Sequence, residues 1–160
     1  MKNILLAIAV VLVCVGSAAA QLSLGKQSLK RLPGVVVIVE DLSSQMVDAG
    51  VNKDQIQQDV ELRLRKAGIR VLSRNTSSAP VIDVIIGGVK IPRTNATAYA
   101  IALTLGQRVI LERDPSIKLY AQTWSSALSV GYVINRTEIR NDLGDVVDSF
   151  INDYLSQNPH

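Results

Sequence analysis

The chain has few of the side chains on which most enzymes and metal sites depend. Its 160 residues include one cysteine, Cys14, and one histidine, His160, which is the last residue. Ser-His-Asp catalysis, histidine-based acid–base chemistry and zinc sites built from histidine or cysteine are therefore not expected. The sequence also contains no G-x-G-x-x-G fingerprint and no Walker-type P-loop. We predict a protein that is not an enzyme and that uses no cofactor and no metal ion.

The first twenty residues have the layout of a secretory signal peptide. Lys2 provides a positive start, "ILLAIAVVLVCV" an apolar centre, and "SAAA" a run of small residues before Gln21. The apolar run is shorter than the ~20 residues that a membrane-spanning helix needs. We therefore predict cleavage after Ala20, a periplasmic or secreted location, and no transmembrane segment in the remaining chain. The alternative is a lipoprotein attached through Cys14, which the bulky Val13 before that cysteine disfavours.

A strong charge of either sign is also missing. The formal net charge of the whole chain is +3, of which Lys2 supplies one, so the chain after residue 20 carries +2. This balance gives no electrostatic reason to expect nucleic acid or an anionic membrane as a partner. Because the chain after residue 20 has no cysteine, a hydrophobic core has to hold it together, and its length is sufficient for one core.

The remaining chain divides into a tether and one domain. Residues 21–33 are polar with scattered leucines, which predicts an N-terminal tether, and a single domain is predicted over 34–158. The β-branched run 35–41 predicts a strand, which a loop connects to the first helix. This helix is predicted to begin after Asn52, a good N-cap, and to end at Gly68. Its apolar stripe consists of Ile56, Val60, Leu64 and Ala67.

Strands dominate the middle of the domain. A short strand at 69–73 is predicted to complete a parallel βαβ unit with the first strand and helix. Antiparallel strands are predicted at 81–91, 98–112 and 117–133. The pair Gly87-Gly88 lies inside one of them, which suggests a bulge or a bend.

A second helix ends the domain. Apolar residues at helical spacing predict a helix with Thr137 as its N-cap and Pro159 beyond its end. Four acids that lie off its apolar stripe are predicted to be solvated: Asp142, Asp145, Asp148 and Asp153. The element order β-α-β-β-β-β-α predicts an α+β fold, a two-layer sandwich in which a mixed sheet has both helices on one face.

The charges of the first helix are explained by helix chemistry. Asp59 with Arg63, and Glu61 with Arg65, are acid-before-base pairs four residues apart, the orientation that stabilises a helix. Leu62 lies well away from the apolar stripe, and we therefore treat it as a candidate partner contact.

Alternation along the strands suggests a contact surface. In "AYAIALTL" the large apolar residues share one face, which is expected to meet the helices, and small residues share the other. In "KLYAQTW" one face carries Tyr120, Gln122 and Trp124, the kind of aromatic and polar mixture found at interfaces. These three residues are candidate partner contacts. For Trp124 a position in the core, near the end of a strand, is the favoured interpretation, and partner contact is the alternative.

Several stretches resemble a known group of proteins. The chain is similar to a family of small secreted bacterial proteins without an assigned function, through "LPGVVVIVEDL", "DVELRLRKAGIRVLS", "ERDPSIKLYAQTWSS" and "FINDYLSQNP". The resemblance covers most of the chain after residue 20 and implies no catalytic residue. More loosely, the element order is similar to periplasmic envelope-assembly domains such as the N-terminal domain of TolB and the lipoprotein LptE.

These observations lead to one main functional hypothesis and two alternatives. The main hypothesis is an exported, non-enzymatic domain that binds a protein or another component of the cell envelope. The first alternative is a carrier of a small molecule or lipid, with a pocket between sheet and helices. The second is a hydrolase that uses Glu40, Asp41 or Asp83, which requires these carboxylates to converge in a cleft.

Overall fold

The structure is a computed structural model that describes residues 25–94, 96–133 and 136–159. The predicted signal peptide, Cys14, residues 21–24 and the side chain of Thr137 lie outside the described residues. The elements, in chain order, are β1 (Val36–Val39), α1 (Ser44–Asp48), α2 (Lys53–Lys66), β2 (Val81–Lys90), β3 (Thr97–Leu111), β4 (Asp114–Ser125), β5 (Ser129–Val133) and α3 (Arg136–Gln157).

The sheet is built around β3, its longest strand. β1 pairs with β2 in parallel, and β2 pairs with β3 in antiparallel orientation. Both β4 and β5 pair with the other edge of β3, β5 near its beginning and β4 towards its end. Helices α2 and α3 contact each other and the same face of the sheet. The predicted α+β fold, with a mixed sheet and both helices on one face, is confirmed.

The strands differ from the prediction in two places. The segment 69–73 makes only a single bridge, between Val71 and Val35, so the strand expected beside β1 is absent from the described structure. The segment 117–133 is broken at 126–128 into β4 and β5. At this break the Ser126 hydroxyl accepts a hydrogen bond from the Leu103 amide, which satisfies β3 where the ladder is interrupted.

The loop predicted after the first strand contains the short helix α1. Its Met46 is fully buried and packs against Gly88 of β2, where any larger residue would collide with the methionine. The register of β2 and β3 is continuous through Gly87 and Gly88, so the bulge expected there is not formed. Gly88 makes room for the Met46 side chain and does not bend the strand.

Helix α2 begins and ends as its sequence predicts. The Asn52 side chain accepts a hydrogen bond from the amide of Gln55. At the other end Gly68 adopts a positive φ of 79°, and the Ile69 amide donates to the carbonyl of Leu64. This is the Schellman arrangement, in which a left-handed residue allows the last carbonyls to find donors. Ile69 is therefore buried in the core.

The charges of α2 connect the two helices. The Glu61–Arg65 pair forms within α2 as predicted, at 2.7 Å. The predicted pair of Asp59 with Arg63 is wrong, because both residues bind α3 instead. Asp59 accepts from Arg140 at 2.6 Å, and Arg63 donates to both carboxylate oxygens of Asp148 at 3.0 Å. These contacts are not visible in the sequence of either helix alone, because they depend on how α2 and α3 pack.

Two further acids of α3 are also engaged, so the prediction of a solvated acidic face is wrong for most of its members. Asp142 accepts a hydrogen bond from the hydroxyl of Tyr99 on β3 at 2.6 Å. Asp153 accepts from the Trp124 indole at 3.0 Å and binds the Lys26 ammonium at 2.7 Å. These acids fasten α3 to the sheet and to the N-terminal segment.

The described part of the predicted tether, residues 25–33, packs onto the domain. Leu29 is 0% exposed and belongs to the main core. Asn158, just after α3, donates to the Leu29 carbonyl and accepts from the Arg31 amide. The packed domain therefore begins at least nine residues before the predicted boundary at residue 34.

Candidate functional site

One face of the sheet is covered by the helices and the other is not. On β3 the large residues alternate towards the helices and are buried, as predicted: Tyr99, Ile101, Leu103 and Leu105. The residues between them point to the opposite surface, which we call the open face. Several large apolar side chains lie exposed on this face, which is the usual sign of an interaction surface. Six of them are Ile85, Val89, Ile110, Tyr120, Val130 and Tyr132.

A β-bulge separates the predicted contact residues of β4. Gly106 pairs with Gln122 and Leu105 pairs with Trp124, so Thr123 is an extra residue that shifts the register. Because side chains alternate along a strand, one extra residue moves everything beyond it to the other face. Tyr120 and Gln122 therefore lie on the open face, exposed to solvent. Trp124 lies on the helix face and is only 5% exposed.

Trp124 is thus a core residue, as the favoured interpretation of its position has it, and the alternative that it contacts a partner is corrected. Its ring meets the ring of Phe150 edge to face, with centroids 5.0 Å apart. Its indole N–H is satisfied by Asp153. The tryptophan anchors α3 to the sheet.

Tyr120 covers a gap in the open face. Its ring lies directly over Gly106 of β3, where a side chain on position 106 would collide with it. The ring therefore replaces the side chain that the glycine lacks, although Tyr120 itself remains half exposed.

The register of the sheet arranges the open face in rows across β2, β3 and β5. Two complete rows are Val89–Ala98–Tyr132 and Gly87–Ala100–Val130, and a third row starts with Ile85–Ala102. The central strand thus presents alanines, whereas the neighbouring strands present large residues, except at Gly87 in the middle of the β2 side. We call this surface the alanine groove: its floor is Ala98, Ala100 and Ala102, and its walls are Ile85, Val89, Val130 and Tyr132.

The walls of the alanine groove are well exposed. Val130 and Tyr132 on β5 are 68% and 69% exposed, and Val89 on β2 is 64% exposed. Neighbouring strands lie about 4.8 Å apart, so the backbones of β2 and β5 are about 10 Å from each other. From Ile85 to Val89 the groove runs for about 13 Å at about 3.4 Å per residue. This length corresponds to roughly two turns of an α-helix.

Two carboxylates lie at one end of the alanine groove. Asp83 is the next residue on β2 that faces this side, two before Ile85, and Glu40 follows β1 beside it. Burial and the nearby charge of Glu40 raise the pKa of Asp83. The five ion pairs formed within the described ranges involve other acids. We call Glu40 and Asp83 the acidic end of the groove.

Asp41 does not join the acidic end. It is fully exposed and pairs with Lys53 at the start of α2, 2.6 Å away, and this ammonium lowers the pKa of Asp41. The three carboxylates of the hydrolase hypothesis are therefore not assembled into one site. Within the described ranges, no group of three or more histidine, cysteine or acidic residues is placed to hold a metal ion.

Leu62 lies on the other side of the molecule from the open face. It is 50% exposed on α2, at a groove of about 760 Å³ between α2 and α3. Arg63 crosses this groove to Asp148, and Arg140 crosses it to Asp59. The groove lies on the outer side of the helices, so it is not the pocket between sheet and helices that the carrier hypothesis requires. None of the helices described is long and apolar enough to cross a membrane.

Replacing Gly144 with alanine is expected to stabilise the protein. Gly144 lies inside α3, where glycine costs up to about 1 kcal/mol relative to alanine. A new methyl group would meet only the end of the flexible Arg63 side chain. That chain can move, and its exposed pair with Asp148 is worth less than about 1 kcal/mol. Thermal unfolding should show a raised midpoint. Gly88→Ala serves as the contrast, since its methyl group meets the buried Met46 and should lower the midpoint.

No family model matches the chain. A stretch of 96 residues, 60% of the chain, is 26% identical to DNA translocase FtsK 2 of Neisseria meningitidis serogroup A / serotype 4A, and the match spans only 9% of that protein's length. The resemblance to small secreted bacterial proteins stays a prediction.

Among solved structures, the chain matches a minor lipoprotein from Acinetobacter baumannii. The match covers 79% of this chain and 95% of that chain, at 12% sequence identity and a TM-score of 0.33. This level of similarity does not define a shared fold.

Proposed function

We propose that this protein is an exported, non-enzymatic component of the bacterial cell envelope that binds a partner protein through its open face. The observation that carries the proposal is the alanine groove, a contiguous apolar surface on the side of the sheet that the described helices leave uncovered. Monomeric soluble proteins seldom expose large side chains side by side unless a partner covers them. The signal-peptide pattern of residues 1–20 supports export.

Within the described residues, the acids of the hydrolase hypothesis are not assembled into one reactive site, and this supports a binding role. Asp83 and Glu40 share the open face, but the described chain has no histidine there and Asp41 is held by Lys53. A binding protein needs shape and exposed apolar area, and the groove provides both. Tyr120 and Gln122 extend the same surface beyond the acidic end. They are proposed as secondary contacts.

Photo-crosslinking in cells tests the proposal. A photoreactive amino acid at position 132, on the groove wall, should capture a partner, whereas one at position 62 on α2 should not. The double variant Val89→Gln and Val130→Gln should abolish the crosslink from position 132, because it makes both walls polar. Both valines are highly exposed, so the stability of the variant should change by less than about 0.5 kcal/mol for each substitution.

A matched control is available on the other side of the molecule. Leu62→Gln changes an exposed apolar residue in the same way and should leave the crosslink intact. The proposal is contradicted if the crosslink survives the double wall variant while that variant remains folded. Equal capture at positions 62 and 132 would also contradict it, because the open face would then have no preference over the helical layer.

A further inference from the structure

We infer that the alanine groove receives an amphipathic α-helix of another protein, with an arginine or lysine beside its apolar stripe that meets Glu40 and Asp83. This inference rests on the proposed function and names the chemistry of the partner. Three features of the open face carry it: the shape of the groove, the position of its two acids, and the state of this chain's own helices.

The shape favours a helix over an extended strand. A strand binds a sheet along an edge, through backbone hydrogen bonds, and does not need a groove on the face. The alanine groove lies on the face of the middle strand of three, between strands whose backbones are about 10 Å apart, and it is about two helical turns long. The alanines of β3 allow a helix to approach closely, and the valines of β2 and β5 can pack on both of its sides.

The acidic end favours a cation on the partner. Asp83 is partly buried and lies next to Glu40. Neither acid takes part in the five ion pairs formed within the described ranges, whose lysines and arginines bind other acids. A partner that buried these carboxylates without a cation would lose their hydration and gain nothing in return. The same charges disfavour an anionic membrane surface, because they would repel its head groups.

The register also sets the position of that cation. Asp83 lies two residues before Ile85 on β2, a distance of about 7 Å along the strand. One helical turn advances about 5.4 Å. The basic residue of the bound helix should therefore lie about one turn beyond the last residue of its apolar stripe.

A second copy of this chain does not supply the helix from its described residues. The apolar stripes of α2 and α3 are buried in their own core, including Ile56, Val60, Leu64, Leu143 and Phe150. Exposing either stripe to another molecule would require unfolding. The described helices of this chain are therefore not available to the groove, and we assign the groove to a helix of a different protein.

Selection from a library of peptides tests the inference. The exported, purified protein is used to select from phage-displayed random 16-residue peptides. The enriched peptides should have apolar residues at helical spacing and an arginine or lysine about one turn beyond them. A synthetic peptide from the enriched set should bind at least tenfold more weakly when its basic residue is replaced by glutamate. It should also bind about tenfold more weakly to the double variant Glu40→Gln and Asp83→Asn.

The control variant is Asp145→Asn, which removes an exposed acid of α3 far from the open face and should leave the affinity unchanged. Enriched peptides that are acidic, that alternate with a period of two, or that bind the double acid variant equally well would overturn the inference. So would a selection that enriches nothing. Binding to phosphatidylglycerol vesicles that is lost in the Val89→Gln and Val130→Gln variant would assign the groove to a membrane instead.

The failure of the inference is distinguishable from that of the proposed function. If the wall variants abolish the cellular crosslink but the acid variants bind the selected peptides normally, the open face is a docking surface whose partner is not selected by charge. If the wall variants leave the crosslink unchanged, the open face is not the docking surface at all.

Discussion

Trp124→Ala is expected to lower the free energy of unfolding by about 3–5 kcal/mol, as for other large core residues. The indole is almost completely buried between β4 and α3. Its removal would leave a cavity beside Phe150 and would withdraw the hydrogen bond that Asp153 accepts. Urea unfolding, followed by circular dichroism because the only tryptophan is lost, would measure the change.

Two variants separate the causes of this loss. Trp124→Phe keeps an aromatic ring but has no N–H to donate, so we expect a smaller loss, with about 1–2 kcal/mol from the missing hydrogen bond. Tyr120→Ala removes an aromatic residue from the open face of the same strand, and it should cost less than Trp124→Ala because Tyr120 is half exposed. If Trp124→Ala unfolded at the same urea concentration as the unaltered protein, the assignment of Trp124 to the core would be contradicted.

Leu29→Ala is expected to cost about 2–5 kcal/mol, although Leu29 lies in a segment whose sequence suggests a tether. The side chain is completely buried, and the adjoining backbone is held by Asn158. Equilibrium unfolding in urea would show a lower midpoint. The result would establish that residues 25–33 contribute to the stability of the domain.

Conservative and surface variants provide the comparison. Leu29→Met keeps the volume and should cost less than about 1.5 kcal/mol. Lys30→Ala changes the exposed neighbour and should stay within about 0.5 kcal/mol. A Leu29→Ala protein as stable as Lys30→Ala would mean that the segment packs on the domain without stabilising it.

The parts of the fold that could be predicted are those that depend on neighbouring residues. The cap at Asn52 and the stop at Gly68 are set within one helical turn, and both are found in the structure. The alternation of β3 likewise assigned its large residues to the helix face. In each case the deciding interactions join residues a few positions apart, which the sequence displays directly.

The errors arise where a long-range contact overrides a local pattern. Thr123 bulges out of β4, and this one residue reverses the face of Trp124 relative to Tyr120. The sequence "KLYAQTW" does not predict the bulge, because its residue types keep alternating with a period of two through position 123. Similarly, Arg63 has a suitable acid four residues before it but binds Asp148, which is 85 residues away.

The open face was only partly visible in the sequence. The small residues of β3 indicated a second surface, but the walls of the alanine groove come from two strands that are separate in the chain. Val130 and Tyr132 fall within the segment expected as one long strand, and only the break at 126–128 brings them beside Ala98 and Ala100. A signal was present in β2, where Ile85 and Val89 are apolar on the side that should face water.

The contacts of Asn158 have a consequence for the order of folding. They join the last described residues to Leu29 and Arg31, across sequence separations of 129 and 127 residues. Contacts of such high sequence separation close the largest loops and form slowly. Residues 25–33 cannot form these contacts until α3 has been synthesised and has packed against the sheet. The N-terminal segment of the domain is therefore not held in place while the chain is still being synthesised.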